Sequence, residues 1–220
     1  MSSAAPAYTT ITSADDGWYR AIATFAQQTP WLHGAMSFYT TAAIFVLALM
    51  TIYSWTSARG RSDELALAAA TWTCFGSLIS VACGLGLKQL FHETRPCLFL
   101  NVATVQSCPG PADYSFPSDH TTFAAAIALG LWLTNRRLGA IALALALLEG
   151  FSRIYLGLHY PHDVIAGFAL SAAVMLGAWP LARRPLTTLM RTREPDESGL
   201  DHVRSAHDRP VGGVQGIGHR

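Results

Sequence analysis

The residues best suited to do chemistry in this chain are basic, imidazole and carboxylate side chains between residues 88 and 163. They are Lys88, Arg95, His120, Arg153, His159 and Asp163. Arginine forks match phosphate oxygens in pairs, and imidazole titrates near neutral pH, so that it can serve as nucleophile or acid. An aspartate shortly after a histidine can hold one ring N–H and leave the other nitrogen free to attack. The set predicts phosphoryl transfer, in which charge stabilisation supplies most of the catalysis.

The elements that must position these residues are apolar. Hydrophobic residues make up 51% of the chain and charged residues only 13%, against roughly 25% charged residues in a typical soluble domain. The runs 34–58, 65–87 and 164–182 contain no charged residue. A helix of about 20 apolar residues crosses the hydrocarbon core of a membrane. The chain is therefore predicted to be an integral membrane protein.

Two further runs complete a predicted helix bundle. Residues 121–135 are uncharged, but they reach spanning length only if their helix begins near Ser118. Residues 138–158 are long enough but contain Glu149 and Arg153, four residues apart. Intramembrane charges usually face a protein interior, and at this spacing the two side chains share a helix face and can pair. The fold class that we expect is all-α, a polytopic membrane bundle of about five transmembrane helices.

The segments on either side of this bundle differ in composition. Trp18, Ile22 and Phe25 recur at helical spacing within residues 14–31, which predicts an amphipathic helix on the outer membrane interface. The C-terminal segment is polar and lacks a core-forming pattern, so that we expect a mobile cytoplasmic tail. The predicted units are an N-terminal segment, a transmembrane domain and a tail, over residues 1–33, 34–185 and 186–220.

Arginines predict how the bundle is oriented. They follow the first, third and fifth predicted spans, which all end on one side of the membrane. These residues are Arg59, Arg61, Arg136, Arg137, Arg183, Arg184, Arg191 and Arg193. Because cytoplasmic loops carry an excess of basic residues, we expect this side and the C-terminus to be cytoplasmic. Helix parity then brings the chemistry-bearing residues to the outer face, where Ser118 at a helix N-terminus would add backbone N–H groups to an anion site.

Three short motifs carry the residues of this outer face. They are Lys88-Gln-Leu-Phe-His-Glu-Thr-Arg95-Pro96, Pro117-Ser118-Asp119-His120, and Ser152-Arg153 followed by His159 and Asp163. They resemble the KxxxxxxRP, PSGH and SRxxxxxHxxxD signatures of the type 2 phosphatidic acid phosphatase superfamily. The order and the internal spacing are kept, and the one departure is Asp119 in place of glycine. The resemblance covers roughly residues 87–164.

This resemblance implies a role for each matched residue. His159 would be the nucleophile that takes the phosphoryl group, and Asp163 would orient it. His120 would protonate the leaving oxygen and later activate water. The phosphate oxygens would be held by Lys88, Arg95, Ser118, Asp119, Ser152 and Arg153. No metal or cofactor is implied. Vanadium-dependent haloperoxidases resemble the site too, but they are soluble, so the predicted spans count against that class.

The departure at Asp119 places a carboxylate where glycine would allow the backbone to approach an anion closely. It could weaken phosphate binding, or pair with a cation or with the acid histidine. The Pro-Ser-Asp-His form, on a short chain with five spans, looks like the bacterial undecaprenyl-diphosphate phosphatases of the bacitracin-resistance type. That resemblance implies a polyprenyl diphosphate substrate embedded in the bilayer. It would be cleaved on the outer face of a bacterial inner membrane in support of cell-wall biogenesis.

Two other functions are compatible with the same residues. A phosphatase for phosphatidic acid or phosphatidylglycerophosphate would apply the same chemistry to another lipid. A transporter or lipid-binding scaffold would need the cations but no nucleophile with an orienting carboxylate, and His120, His159 and Asp163 together argue against it. Nothing resembles a nucleic-acid-binding patch, and the sequence does not fix the oligomeric state.

The remaining polar residues of the outer face have no motif role. His92 and His162 are interpreted as interfacial residues, and Glu93 as a solvated loop residue or a partner for Arg95. The spacing of histidines and cysteines does not fit a zinc site. The loops also lack the carboxylate cluster that would hold magnesium.

The cysteines fall into two pairs. Cys74 and Cys83 lie in the second predicted span and are expected to be buried, small apolar residues. Cys97 and Cys108 lie in the outer loop, an oxidising compartment in this orientation. A disulfide would order the segment that presents Arg95, but the sequence is equally compatible with two free thiols.

Overall fold

The computed structural model describes residues 12–100 and 102–191, and within them the chain forms helices and no strand. The expected all-α class is confirmed. The helices are α1 (Thr12–Gln28), α2 (Pro30–Gly60), α3 (Glu64–Phe91), α4 (Pro96–Phe99), α5 (Asp119–Thr134), α6 (Arg136–Tyr155), α7 (Pro161–Ala172) and α8 (Trp179–Arg191), with a π-helical turn at Ala173–Gly177.

Three helical segments of the described chain are long and apolar enough to cross a membrane, and a bent pair would be a fourth. They are Pro30–Gly60, Glu64–Phe99 and Arg136–Tyr155, with Pro161–Gly177 and Trp179–Arg191 as the bent pair. The remaining predicted span, α5, has 16 residues, about 24 Å at 1.5 Å per residue. It begins at Asp119, one residue after the expected start, and packs against α2, α3, α6 and α7. These neighbours cover most of the middle of α5, although Trp132 near its end is exposed.

Small residues let the helices approach α5 closely. Ala124, Ala125, Ala126 and Ala128 are all buried, and such residues are typical of helix interfaces in membranes. At Gly130 an added Cβ would lie 2.4 Å from the Thr73 hydroxyl oxygen of α3. The α3–α5 contact therefore depends on the missing side chain.

The last predicted span differs from the expected run of 164–182. The helix bends by 50° after Gly177, and α8, which follows the bend, has no buried residue. Arg191 at its end forms an ion pair with Glu64 of α3, with 2.8 Å between Nη2 and Oε2. Helix α8 also crosses the expected domain boundary at residue 185, so the segment 186–191 is helical. The rest of the predicted tail, 192–220, lies outside the described residues.

The N-terminal helix α1 packs on the bundle with one face and leaves most of the predicted interfacial face exposed. Trp18 and Phe25 are exposed, while Tyr19, Ala23 and Ala26 are buried against the end of α6, the loop after it and the start of α7. The Tyr19 hydroxyl donates to the Gly157 carbonyl at 3.0 Å. Helix α2 already begins at Pro30, so residue 33 lies within this helix.

The two cysteine pairs differ in environment. Cys97 and Cys108 form a disulfide with 5.8 Å between their Cα atoms, within the usual range for such bridges. Cys74 and Cys83 are exposed on α3. The expectation that they are buried is wrong, because this face of α3 points away from the other helices.

Substituting Gly130 by alanine should destabilise the bundle. The Thr73 hydroxyl is held by the Ala69 carbonyl at 2.9 Å, so that it cannot move away from a new Cβ without losing that bond. We expect a cost of about 1–3 kcal/mol, measured as a lower midpoint of thermal unfolding in detergent. Gly86→Ala is the matched control, since a Cβ at Gly86 meets nothing within 4 Å. Equal midpoints for the two variants would contradict the prediction.

Removing the disulfide should also lower the unfolding midpoint. The bridge joins residues 11 apart in the sequence, and closing such a loop stabilises a protein by about 2–3 kcal/mol. The double variant Cys97→Ser, Cys108→Ser should match the wild type treated with reductant. Replacing Cys74 and Cys83 by serine is the control and should leave the midpoint unchanged.

Candidate active site

The motif residues lie together at one end of the bundle, where α3 and α6 end and α5 and α7 begin. The Ser118 N–H donates to the Asp163 carbonyl at 3.2 Å, which joins the start of α5 to the start of α7. Nη1 of Arg95 donates to the Leu158 carbonyl at 3.0 Å, which joins the loop after α3 to the loop after α6. The structure thus brings together the four helix ends that the alternating direction of the predicted spans had placed on one face.

His159 lies between a carboxylate and a guanidinium. It is 2% exposed, and its Nδ1 lies 3.3 Å from Oδ2 of Asp163. Its Nε2 lies 3.0 Å from Nη1 of Arg95. A carboxylate only accepts and a guanidinium only donates, so Nδ1 carries the proton and Nε2 keeps its lone pair. Burial, followed by the charges of Arg95, Arg153 and Lys88, lowers the pKa of His159 well below its ordinary value, which keeps the ring neutral.

Asp163 is fixed by several donors. Its side chain is fully buried, and Oδ2 accepts from the Tyr160 N–H at 2.8 Å and from the Ser115 hydroxyl. The same oxygen faces His159. The first of these bonds also caps α7, so the residue that orients the histidine is held by the helix start itself. Its other oxygen, Oδ1, has no hydrogen-bond partner among the described residues.

Two of the cations are already paired with carboxylates. Nζ of Lys88 lies 2.8 Å from Oδ2 of Asp119 and 3.7 Å from Oδ1 of Asp113. Nη2 of Arg95 donates to the same Asp113 oxygen at 3.0 Å. Of the alternatives for Asp119, the structure therefore shows the pairing with a cation. Asp113 was not predicted from the sequence, because it belongs to no motif.

Asp113 is held as an anion between these cations. Burial by itself would raise the pKa of its carboxyl group, but the hydrogen bond from Arg95 and the charges of Arg95 and Lys88 outweigh burial and hold the pKa below its ordinary value. The side chain is 52% exposed. A charged, half-exposed carboxylate thus bridges two cations that the motifs assign to phosphate.

Arg153 is connected to Glu149 through a hydroxyl. Nη1 of Arg153 donates to the Thr40 hydroxyl at 3.2 Å, and that hydroxyl donates to Oε1 of Glu149 at 2.5 Å. The expected direct pair is absent within the described residues, since Thr40 of α2 lies between the two groups. Nε of Arg153 is buried without a partner, and buried donors are rarely left unpaired. It is a free donor for an anion.

The two serines of the motifs point into their own helices. Ser118 takes the N-cap position of α5, but its hydroxyl makes no capping bond and instead accepts from the Thr121 hydroxyl at 3.0 Å. The Ser152 hydroxyl donates to the Glu149 carbonyl at 2.7 Å. Contact of either hydroxyl with phosphate therefore requires a rotation and stays a prediction. His120 is exposed in the first turn of α5, within electrostatic range of Arg153, Arg95 and Lys88.

Glu93 and His162 make contacts that the sequence did not predict. Oε1 of Glu93 lies 2.8 Å from Nε2 of His162, whereas the partner of Arg95 is Asp113. The other ring nitrogen, Nδ1, lies 2.6 Å from Oδ2 of Asp15 in α1. His162 therefore belongs to a partly buried cluster of charged groups with Asp15 and Glu93, and it is not a solitary interfacial residue. No sequence signal linked it to Asp15, which is 147 residues away.

This arrangement can perform one kind of chemistry well. His159 presents a neutral nitrogen with an oriented lone pair next to Arg95, and the charges of Arg153 and Lys88 also act on it. An exposed histidine, His120, stands in the same charge field. A nucleophile, a second proton-transferring group and fixed cations are the parts needed to displace a group from phosphorus.

Comparisons with known proteins agree with this chemistry. Residues 69–185 match the PAP2 superfamily. The chain is 35% identical over 159 residues to "Undecaprenyl-diphosphatase BcrC" of Bacillus subtilis (strain 168), covering 72% of this chain and 78% of that protein. It is 34% identical over 103 residues to "Undecaprenyl-diphosphatase" of Sulfolobus acidocaldarius, covering 46% of this chain and 47% of that protein.

The fold agrees with a solved membrane enzyme. The crystal structure of a transmembrane PAP2 type phosphatidylglycerolphosphate phosphatase from Bacillus subtilis superimposes with a TM-score of 0.59 at 25% identity, covering 77% of this chain and 87% of that one. The family match over residues 69–185 includes all three motifs of the site, and the chain is a multi-pass membrane protein. It belongs to the PAP2 superfamily and is a phosphatase.

Proposed function

We propose that this protein hydrolyses a polyprenyl diphosphate of the undecaprenyl type to the monophosphate, through a phosphohistidine at His159. The observation that carries the proposal is the position of His159, with Nδ1 facing Asp163 at 3.3 Å and Nε2 facing Arg95 at 3.0 Å. Binding alone would not need an oriented, neutral imidazole among three cations. This favours an enzyme over a transporter or scaffold.

The first step transfers the phosphoryl group. Arg95 turns from Nε2 of His159 to a phosphate oxygen, and Nε2 attacks the terminal phosphorus. The P–N bond forms while the P–O bond to the prenyl monophosphate breaks, and His120 gives a proton to that leaving oxygen. Lys88, Arg95 and Arg153 stabilise the charge on the equatorial oxygens. Asp163 stabilises the positive charge that develops on His159.

The second step returns the enzyme to its starting state. His120, now without its proton, accepts one from water as the water oxygen attacks phosphorus. The P–N bond breaks, its electron pair returns to Nε2, and inorganic phosphate leaves. The phosphoryl group and the proton are accounted for in both steps by the substrate, water, His159 and His120.

The similarity to undecaprenyl-diphosphatase of Bacillus subtilis supports the substrate, because that chain is matched over most of its length. The solved relative acts on phosphatidylglycerolphosphate, so phospholipid monophosphates are the competing substrate class. A diphosphate also offers an inner phosphate as leaving group, and this group needs less help from an acid than an alkoxide does.

The proposed site lies on the outer face of a bacterial inner membrane, with the C-terminus in the cytoplasm. Arg59, Arg61, Arg136 and Arg137 lie at the end of the bundle opposite to His159, which supports this orientation by the excess of basic residues on cytoplasmic loops. A lipid diphosphate would then reach the site from the outer leaflet.

Replacing His159 by alanine should abolish phosphate release, by at least about 1,000-fold, because the covalent intermediate cannot form. The assay measures phosphate released by detergent-purified protein from C55 prenyl diphosphate, phosphatidic acid and phosphatidylglycerophosphate, with EDTA present. His92→Asn is the control, since His92 is an exposed histidine at the same end of the bundle with a left-handed φ of 47° that asparagine tolerates. Release that survives in the His159 variant would overturn the mechanism.

Replacing His120 by alanine should leave an acid-labile, base-stable phosphoenzyme on rapid mixing with the prenyl diphosphate. The phosphate leaving group departs with little acid assistance, whereas the attack of water still needs a base. If the wild type prefers phosphatidic acid or phosphatidylglycerophosphate, the mechanism stands and the substrate is a phospholipid monophosphate. No phosphoenzyme in the His120 variant, with release unchanged, would remove His120 from the proposal.

Replacing Asp113 by asparagine should strengthen product inhibition by orthophosphate. The carboxylate of Asp113 competes with phosphate for Arg95 and Lys88, while its backbone carbonyl still accepts from Nε of Arg95 and holds the loop in place. We expect the inhibition constant to fall about threefold to tenfold. Asp113→Glu retains the charge and should stay near wild type, and an unchanged constant in the asparagine variant would contradict the prediction.

A further inference from the structure

His162 is surrounded by carboxylates from three parts of the chain. Its Nδ1 lies 2.6 Å from Oδ2 of Asp15 in α1, and its Nε2 lies 2.8 Å from Oε1 of Glu93 and 3.3 Å from Oδ1 of Asp163. Carboxylates only accept hydrogen bonds, so a ring with a carboxylate at each nitrogen must donate from both. His162 is therefore an imidazolium.

The ring of this imidazolium is held in one plane. It stacks on Tyr160 at 5.4 Å between centroids, with 17° between the rings, and on Phe116 at 5.8 Å with 30°. Its own backbone N–H donates to Oδ1 of Asp15 at 3.1 Å. Asp15 thus binds both the ring and the backbone of His162, and the orientation of Nε2 is fixed.

Nε2 of His162 brings a positive charge within 3.3 Å of the free oxygen of Asp163. That oxygen, Oδ1, has no hydrogen-bond partner among the described residues, and the residue is completely buried. A buried carboxylate without a nearby cation loses its charge or moves. The positive charge of His162 stabilises the negative charge at Oδ1 on one side of the carboxylate. On the other side Oδ2 faces His159.

We propose that His162 is a positioning residue, an imidazolium that keeps Asp163 ionised and aligned on His159. Asp15 and Glu93 hold this imidazolium. The inference rests on the proposed function, since the step it serves is the attack by His159. It also gives α1 a part in the site, because a helix outside the three motifs supplies Asp15.

The charge on His162 is tested by a pair of variants. His162→Gln keeps hydrogen-bond donors but has no charge, whereas His162→Arg restores a cation. Loss of the positive charge beside Asp163 should reduce kcat of the glutamine variant about 10- to 100-fold, with KM changed less than about threefold, because the phosphate cations are untouched. The arginine variant should recover at least part of kcat. Equal losses in both variants, or a loss that lies in KM, would indicate a structural role and overturn the proposal.

The contribution of α1 is tested by a second pair. Asp15→Asn should lower kcat in the same direction as His162→Gln, and Asp15→Asn combined with His162→Gln should cost little more than His162→Gln alone. Asp16→Asn is the matched control, because it removes the same charge from the next position of α1 and Asp16 forms no ion pair with His162. Additive losses, or an equal effect of Asp16→Asn, would contradict a pathway through His162. All assays contain EDTA, which removes any divalent cation from the Glu93–His162–Asp163 group.

The activity of the wild type and its stabilisation by orthovanadate separate the role of His162 from the proposed function. Whichever lipid phosphate the wild type hydrolyses serves for the variant comparison. Stabilisation of detergent-purified protein by orthovanadate is measured as well, since a vanadate bound to Nε2 of His159 needs the same alignment. A smaller thermal shift in His162→Gln supports the role of His162, and equal shifts overturn it. A wild type that neither releases phosphate nor responds to vanadate would overturn both proposals.

Discussion

A buried carboxylate is the constraint on which this site depends. Asp163 is fully inside the protein, and its charge is tolerable only where donors converge on it. The loop before α5 supplies Ser115, the start of α7 supplies the Tyr160 N–H, and the nucleophile His159 supplies Nδ1. On the other side His162 connects the carboxylate to α1 and to the loop after α3. The position of His159 therefore follows from the packing of several elements and not from the 159–163 spacing alone.

The cations at this end of the bundle are neutralised by carboxylates of the protein itself. Asp119 and Asp113 pair with Lys88, Asp113 also pairs with Arg95, and Glu149 reaches Arg153 through Thr40. Three uncompensated buried charges would repel each other and lose hydration. The carboxylates lower that cost, and they become the groups that a phosphate must displace. Asp119, where the family pattern has glycine, is thus part of the charge balance of the site.

The bundle makes such a site by bringing helix ends together. Alanines and Gly130 along α5 allow the neighbouring helices to approach it. Short connections at residues 61–63 and at Asn135 keep the opposite end compact. The longer connections then lie at the end with His159. One of them is fixed by the Cys97–Cys108 disulfide and by the bond from the Ser115 N–H to the Glu93 carbonyl at 2.8 Å. The loop in this way carries charged groups at defined distances.

The sequence by itself determined the class of fold and the chemistry. Apolar runs predict membrane helices because hydropathy is a local property, and the three motifs name Lys88, Arg95, His120, Arg153, His159 and Asp163 because their spacing within each motif is short. Only the tertiary structure decided which groups these residues meet. Asp113 replaces Glu93 as the partner of Arg95, Thr40 separates Arg153 from Glu149, and Asp15 binds His162 across 147 positions. It also decided the bend after Gly177 and the face by which α1 packs. Such contacts join side chains far apart in the sequence, and no local pattern encodes the packing that brings them within hydrogen-bond distance.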